Sequence, residues 1–136
     1  MRQLVHRATT AVAVATAALA GVVLVPGSAE AAVYNGACGS GYTVVDALEV
    51  GDHGTVYLTY SRTTGKNCVV NVRDNPGARL YMNALVRVSG SPDWIGDYGQ
   101  FTTYAGPVYV SAAGTCIDWG GEIETVYVYR LNVHCG

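Results

Sequence analysis

Thr55-Val56-Tyr57-Leu58-Thr59-Tyr60-Ser61 is the stretch on which the fold turns. At the two-residue period of an extended strand it places Val56, Leu58 and Tyr60 on one face and Thr55, Tyr57 and Thr59 on the other. Gly51-Asp52-His53-Gly54 on its N-terminal side and Arg62-Thr63-Thr64-Gly65-Lys66-Asn67 on its C-terminal side supply turn chemistry. The run is a strand bounded by turns.

Outward in both directions the pattern repeats. Tyr42–Val50 reads as an outer strand and Cys68–Arg73 as another, and Asp74-Asn75-Pro76-Gly77 reads as a turn, because Pro fixes one dihedral and Gly accepts a positive one. Arg79–Ser89 has period two in Leu80, Met82, Ala84 and again in Val86, Val88. A helix with Leu80, Ala84 and Arg87 on one side is the alternative; the bounding Pro76-Gly77 and Gly90-Ser91-Pro92 decide for strand. Asp93–Gly99 reads as a loop, Gln100–Tyr104 and Pro107–Ala112 as strands, Ala113-Gly114 as a turn, and Cys116–Trp119 and Thr125–Val133 as the last strands. Seven or eight short strands make an all-β domain, either a small antiparallel β-sandwich or a closed β-barrel. Gly54–Thr59 and Gly106–Ser111 share G-x-V-Y-[LV]-[ST], followed in each case by Gly and then Cys. That echo suits a duplicated hairpin, and equally any Gly-turned β protein.

Residues 1–31 have the composition of a secretory signal peptide. Arg2 and Arg7 form the positive start, residues 11–25 an apolar run, and Ala29-Glu30-Ala31 a small-residue cleavage site. The run is shorter than the roughly 20 residues that cross a bilayer core, so cleavage after Ala31 is expected rather than anchoring. Residues 32–136 then form a single secreted domain, of a size that buries only about 60–65% of its unfolded surface and gains from cross-links. Cys38, Cys68, Cys116 and Cys135 all lie beyond the leader, and an oxidising compartment makes two disulfides of them. Three pairings are open. The sequential one, Cys38 with Cys68 and Cys116 with Cys135, is preferred because each pair pins one end of the domain; it closes loops worth on the order of 3 kcal/mol each. Zinc is disfavoured, since no close C-x-x-C knuckle is present.

The chain carries eight Lys and Arg against ten Asp and Glu, a net charge of −2, and loss of Arg2, Arg7 and Glu30 with the leader takes it to −3. Scattered basic residues on an acidic chain exclude a nucleic-acid partner and a polybasic membrane patch. Catalytic sets are also missing. The histidines beyond the leader are His53, in a turn, and His134, beside Cys135; Ser40 in Cys38-Gly39-Ser40-Gly41 lacks the G-x-S-x-G elbow. Glu122 and Glu124, two apart, would share a strand face and are the one carboxylate pair to weigh for glycoside hydrolysis. No cofactor or metal is expected, because the oxygen ligands in Asp93–Asp97 and Asp118–Glu124 lack calcium-loop spacing.

Aromatic residues give the positive signal. Asp93 next to Trp94, Asp97 next to Tyr98, and Asp118 next to Trp119 are acid–aromatic pairs of the kind that hold carbohydrate, so Trp94, Tyr98, Trp119 and Asp118 form the candidate binding group. Closure of a small core by both tryptophans is the competing account. Tyr57, Tyr60, Tyr109, Tyr127 and Tyr129 occupy strand positions on opposite faces, so some of the ten tyrosines must face outward, either in cross-strand packing or as a contact surface.

Three segments together carry a resemblance: Tyr34–Tyr42 (YNGACGSGY), Gly54–Tyr60 with Gly65–Val70 (GTVYLTY, GKNCVV), and Tyr104–Ser111 with Gly114–Gly121 (YAGPVYVS, GTCIDWGG). On these the chain resembles the small secreted spore-associated protein A family of filamentous actinobacteria over nearly all of residues 32–136. The resemblance implies an extracytoplasmic protein found with spores or aerial growth, and brings no catalytic residue with it. The reading is therefore a non-enzymatic protein of the spore or cell surface, with wall glycan, the spore surface or an extracellular protein as partner. A secreted protease inhibitor or toxin-like effector presenting residues 62–67 or 90–99 as a rigid loop is the alternative, and a glycan hydrolase comes last.

Overall fold

The alternation seen at Thr55–Ser61 recurs as eight strands: β1 (Thr43–Val50), β2 (Gly54–Ser61), β3 (Lys66–Arg73), β4 (Leu80–Val88), β5 (Ile95–Phe101), β6 (Tyr104–Ser111), β7 (Ile117–Ile123) and β8 (Val126–Val133). The structure is a computed structural model and describes residues 32–136; the leader and its cleavage site lie outside the described residues. The strands form two four-stranded antiparallel sheets, ordered β1-β2-β3-β6 and β5-β4-β7-β8. The first sheet ends at β1 and β6 and the second at β5 and β8, so the fold is a sandwich and not a closed barrel.

One face of each sheet meets the other. Val56, Leu58 and Val69 from the first sheet interlock with Met82, Ala84, Val86, Ile117, Trp119 and Ile123 from the second, all fully buried. At roughly 25 cal/mol per Å² of apolar surface removed from water, this layer is the main source of stability. One polar group crosses it. Asn71 Nδ2 donates to the carbonyls of Asn83 at 2.9 Å and Glu122 at 3.0 Å, tying β3 to β4 and β7. That approach leaves no room at Gly121, where a Cβ would lie 2.7 Å from the Asn83 carbonyl oxygen and 2.9 Å from Asn71 Nδ2.

Arg73 closes one end of the sandwich. Its Nη1 donates to the carbonyls of Ala78 (2.7 Å), Phe101 (3.2 Å) and Thr102 (3.0 Å), joining the start of β4 to the β5–β6 turn. Residues 74–79 are accordingly a crossing between the sheets rather than a hairpin turn. Along one open side, Asp46 on β1 accepts from Arg130 on β8 (2.8 Å) and stands 3.0 Å from His134 Nε2.

The structure corrects two sequence expectations and decides one alternative left open. Asp93–Gly99 is not a loop: from Ile95 onward it is paired with β4, from Val86↔Ile95 to Leu80↔Phe101, and the turn falls at Thr102-Thr103 instead. Its two glycines lower strand propensity, but pairing to a central strand outweighs that. The echo between Gly54–Thr59 and Gly106–Ser111 does not mark a duplicated hairpin, because β2 pairs with β3 while β6 and β7 lie in different sheets. Glu122 and Glu124 do not share a strand face: Glu122 is on β7, whereas Glu124 lies in the β7–β8 turn with φ 56°.

Candidate functional site

The two outer faces of the sandwich differ. That of the β1-β2-β3-β6 sheet is covered, over β3 and the adjoining parts of β2 and β6, by residues 32–42, which the Cys38–Cys68 disulfide fastens to β3. Val70 and Val72 are buried beneath this segment. Tyr34 packs edge-on against Tyr57 (5.7 Å between ring centres) and Tyr42 against Tyr109 (5.6 Å). Tyr109 Oη donates to the Cys38 carbonyl at 3.0 Å, Ala32 N donates to Asp74 Oδ1 at 2.7 Å, and the Tyr57 hydroxyl donates to the Ala32 carbonyl. Burial pushes the Tyr57 and Tyr109 phenols up from their ordinary range.

On the β5-β4-β7-β8 sheet the outward positions follow from the register. Met82, Ala84 and Val86 point inward, so Tyr81, Asn83, Leu85 and Arg87 point outward, with Gly96 and Tyr98 beside them on β5 and Asp118, Gly120 and Glu122 on β7. Tyr98↔Asn83↔Glu122↔Tyr127 is then one cross-strand row spanning all four strands, about 14 Å at the usual strand spacing. Its two ends are exposed rings, Tyr98 at 54% and Tyr127 at 67%, and its centre is polar. Asn83 Nδ2 donates to Glu122 Oε2 (3.0 Å) and lies 3.4 Å from the Tyr81 hydroxyl, while its Oδ1 is buried without a partner.

The next row is Gly96↔Leu85↔Gly120↔Tyr129. Both glycines are occupied from above: a Cβ on Gly96 would stand 2.4 Å from the Tyr98 ring, and one on Gly120 2.5 Å from the Tyr129 ring and 2.1 Å from the Val128 carbonyl oxygen. Tyr129 is thereby set against Tyr127 (5.9 Å) and Trp94 (6.0 Å). Burial raises its phenol above the ordinary range, and the Glu122 charge adds to the shift. The result is a sheet face framed by aromatic rings around an amide and a carboxylate, a composition suited to a hydroxyl-bearing ligand with an apolar ring face.

The structure separates the four residues singled out in the sequence. Tyr98 is an exposed wall of this face. Trp94 is half-buried beside it, with the Arg87 guanidinium 4.3 Å from its ring centre. Asp118 is on the same face but buried, accepting from Arg87 Nε (2.7 Å), Ser89 Oγ (2.7 Å) and the Asn132 amide (2.8 Å). Burial alone would raise its carboxyl, but those donors and the Arg87 charge hold it below the usual range. Trp119 is on the other side of the sheet, fully buried, so its ring belongs to the core and is closed to a ligand. Asn83 and the glycines beneath the rings escape a sequence reading. Tyr127 and Tyr129 show as a period-two aromatic pair, but their alignment with Tyr98 depends on two intervening strands.

The remaining chemical candidates do not converge. Glu124 Oε1 accepts from the Tyr81 amide at 3.1 Å, away from Glu122's row. His53 is in the β1–β2 turn, and Ser40 is exposed in the N-terminal segment. All four thiols are consumed by Cys38–Cys68 and Cys116–Cys135. A cleft of about 270 Å³ near the chain end is lined by Val45, Tyr60, Asn67, Ala112, Gly114 and His134, among others. Its one histidine, His134, is engaged by Asp46.

No protein-family model and no solved structure matches the chain. It is 50% identical over 107 residues, covering 77% of its own length and 68% of the relative's, to Spore-associated protein A of Streptomyces coelicolor. An identity of this size over most of both chains agrees with the residues at Tyr34–Tyr42, Gly54–Val70 and Tyr104–Gly121, and the chain belongs to the spore-associated protein A family.

Proposed function

We propose that the protein is a secreted, non-catalytic component of the spore surface that binds surface polysaccharide through the outer face of the β5-β4-β7-β8 sheet. Spore association rests on the relative's name. The polysaccharide rests on one observation: the Tyr98-Asn83-Glu122-Tyr127 row, which places two exposed rings at the ends of a polar centre while the opposite sheet is covered in part by the chain's own N-terminal segment. Pyranose rings have an apolar face to stack on tyrosine and hydroxyls to donate to a carboxylate, so this pattern matches them at both kinds of group.

The test is co-sedimentation of the oxidised secreted protein with intact spores, peptidoglycan and chitin. Wild type is expected to pellet saturably. A Tyr98→Ala/Tyr127→Ala double variant, folded by its melting temperature, is expected to lose at least tenfold in affinity. Tyr104→Ala, an exposed tyrosine of the other sheet, is expected to bind as wild type does. Pelleting with none of the three materials sinks the proposal.

A further inference from the structure

The central charge of this face has no counter-charge. Glu122 accepts a hydrogen bond from Asn83 Nδ2 at 3.0 Å, and among the described residues no Lys, Arg or His forms an ion pair with it. The two cations of the same sheet are committed elsewhere. Arg87 gives its Nε to Asp118 at 2.7 Å and its guanidinium face to Trp94 at 4.3 Å. Arg130 is bound to Asp46 of the opposite sheet at 2.8 Å.

A carboxylate set between tyrosine rings is complementary to an organic ammonium. The carboxylate supplies the opposite charge, and the negative π-faces attract the cation and the polarised C–H groups next to it. The same arrangement disfavours a phosphate or uronate polymer at Glu122, since both cations carried by the four strands are engaged elsewhere. Deepening the polysaccharide reading, on which it rests, we infer that this face selects polymers of hexosamine with free amino groups. An ammonium sits against Glu122 between Tyr98 and Tyr127, and the neighbouring sugar rings stack on the tyrosines.

The test is isothermal titration of the full secreted protein with two defined hexasaccharides, one of β-1,4-linked glucosamine and one of β-1,4-linked N-acetylglucosamine. It is run in low salt and in 0.5 M NaCl, at a pH where the amines are protonated. The glucosamine hexamer is expected to bind at least fivefold more tightly, with the preference lost in high salt. Glu122→Gln keeps an oxygen for Asn83 and is expected to fold and to abolish the preference, lowering affinity for the glucosamine hexamer by a larger factor than affinity for the acetylated one. Glu49→Gln removes the same charge from exposed β1 and is expected to retain the preference. Tyr98→Ala is expected to weaken both ligands.

Equal binding of the two hexamers by wild type, weakened by Tyr98→Ala, overturns the amino-sugar inference and leaves the polysaccharide reading standing. Equal loss of preference in Glu49→Gln and Glu122→Gln overturns the inference too, since it reports bulk charge. Binding of neither hexamer overturns the inference, and if the co-sedimentation also fails, the reading beneath it falls.

Discussion

Asn71 shows how much one polar side chain decides in this protein. It is fully buried between the sheets, and its amide bridges two carbonyls of β4 and β7. Asn71→Ala is expected to cost about 1–3 kcal/mol, read from the denaturant midpoint, because both carbonyls lose a buried donor. Trp119 makes the complementary point. Its ring fills the core, and Trp119→Ala is expected to cost about 3–5 kcal/mol and to broaden the near-ultraviolet signature of the fold. A loss of ligand binding in that variant reports unfolding and not a contact. Trp94 and Trp119 look alike in sequence, each following an aspartate; what separates them is that Trp119 lies on the inward face of β7 whereas Trp94 stands just ahead of β5, against Tyr129 and Arg87.

At the scale of elements, the N-terminal segment is the piece held most by specific bonds. It contributes no strand, yet the Cys38–Cys68 link, two tyrosine pairs and the Ala32–Asp74 hydrogen bond lay it across β3. Replacing both Cys38 and Cys68 with serine is expected to lower stability by about 3–4 kcal/mol, the entropy of a 30-residue loop, and to make residues 32–42 the first site of limited proteolysis. Asp74→Ala is expected to speed the same cleavage with a smaller stability loss. Strand β5 is the element that sequence reasoning misses. Gly96 and Gly99 signal a turn locally, whereas Gly96 is where the Tyr98 ring and Leu85 close over the backbone. Gly96→Ala is expected to preserve the fold, displace the exposed Tyr98 ring and weaken binding to spores.

At the scale of the whole molecule, stability against pH is bracketed by the buried Asp118 on the acid side and by three partly covered tyrosines on the alkaline side. Asp118 is held below the usual carboxylate range, so its contribution is complete above the unfolded-state value of about 3.9 and is lost as pH falls through its folded value. Tyr57, Tyr109 and Tyr129 are raised, so their contribution is complete below the unfolded-state value of about 10 and is lost as pH rises through their folded values. Denaturant midpoints measured from pH 2 to 11 are expected to show a plateau between these limbs. Asp118→Asn should flatten the acid limb alone.

By itself the sequence determined the all-β class, most strand positions, the sequential preference for the disulfides and the resemblance to the spore-associated protein A family, because alternation, turn chemistry and cysteine spacing are local or nearly local signals. It also carried the aromatic excess and placed Tyr98 among the binding candidates. Only the tertiary structure decided sandwich against barrel, put Trp119 inside, and aligned Tyr98, Asn83, Glu122 and Tyr127 across four strands. The physical reason is register. A strand's own sequence sets which residues share a face, but which strand lies beside it, and in what alignment, is fixed by packing of the two sheets and by links such as Asn71 and Arg73 between distant segments.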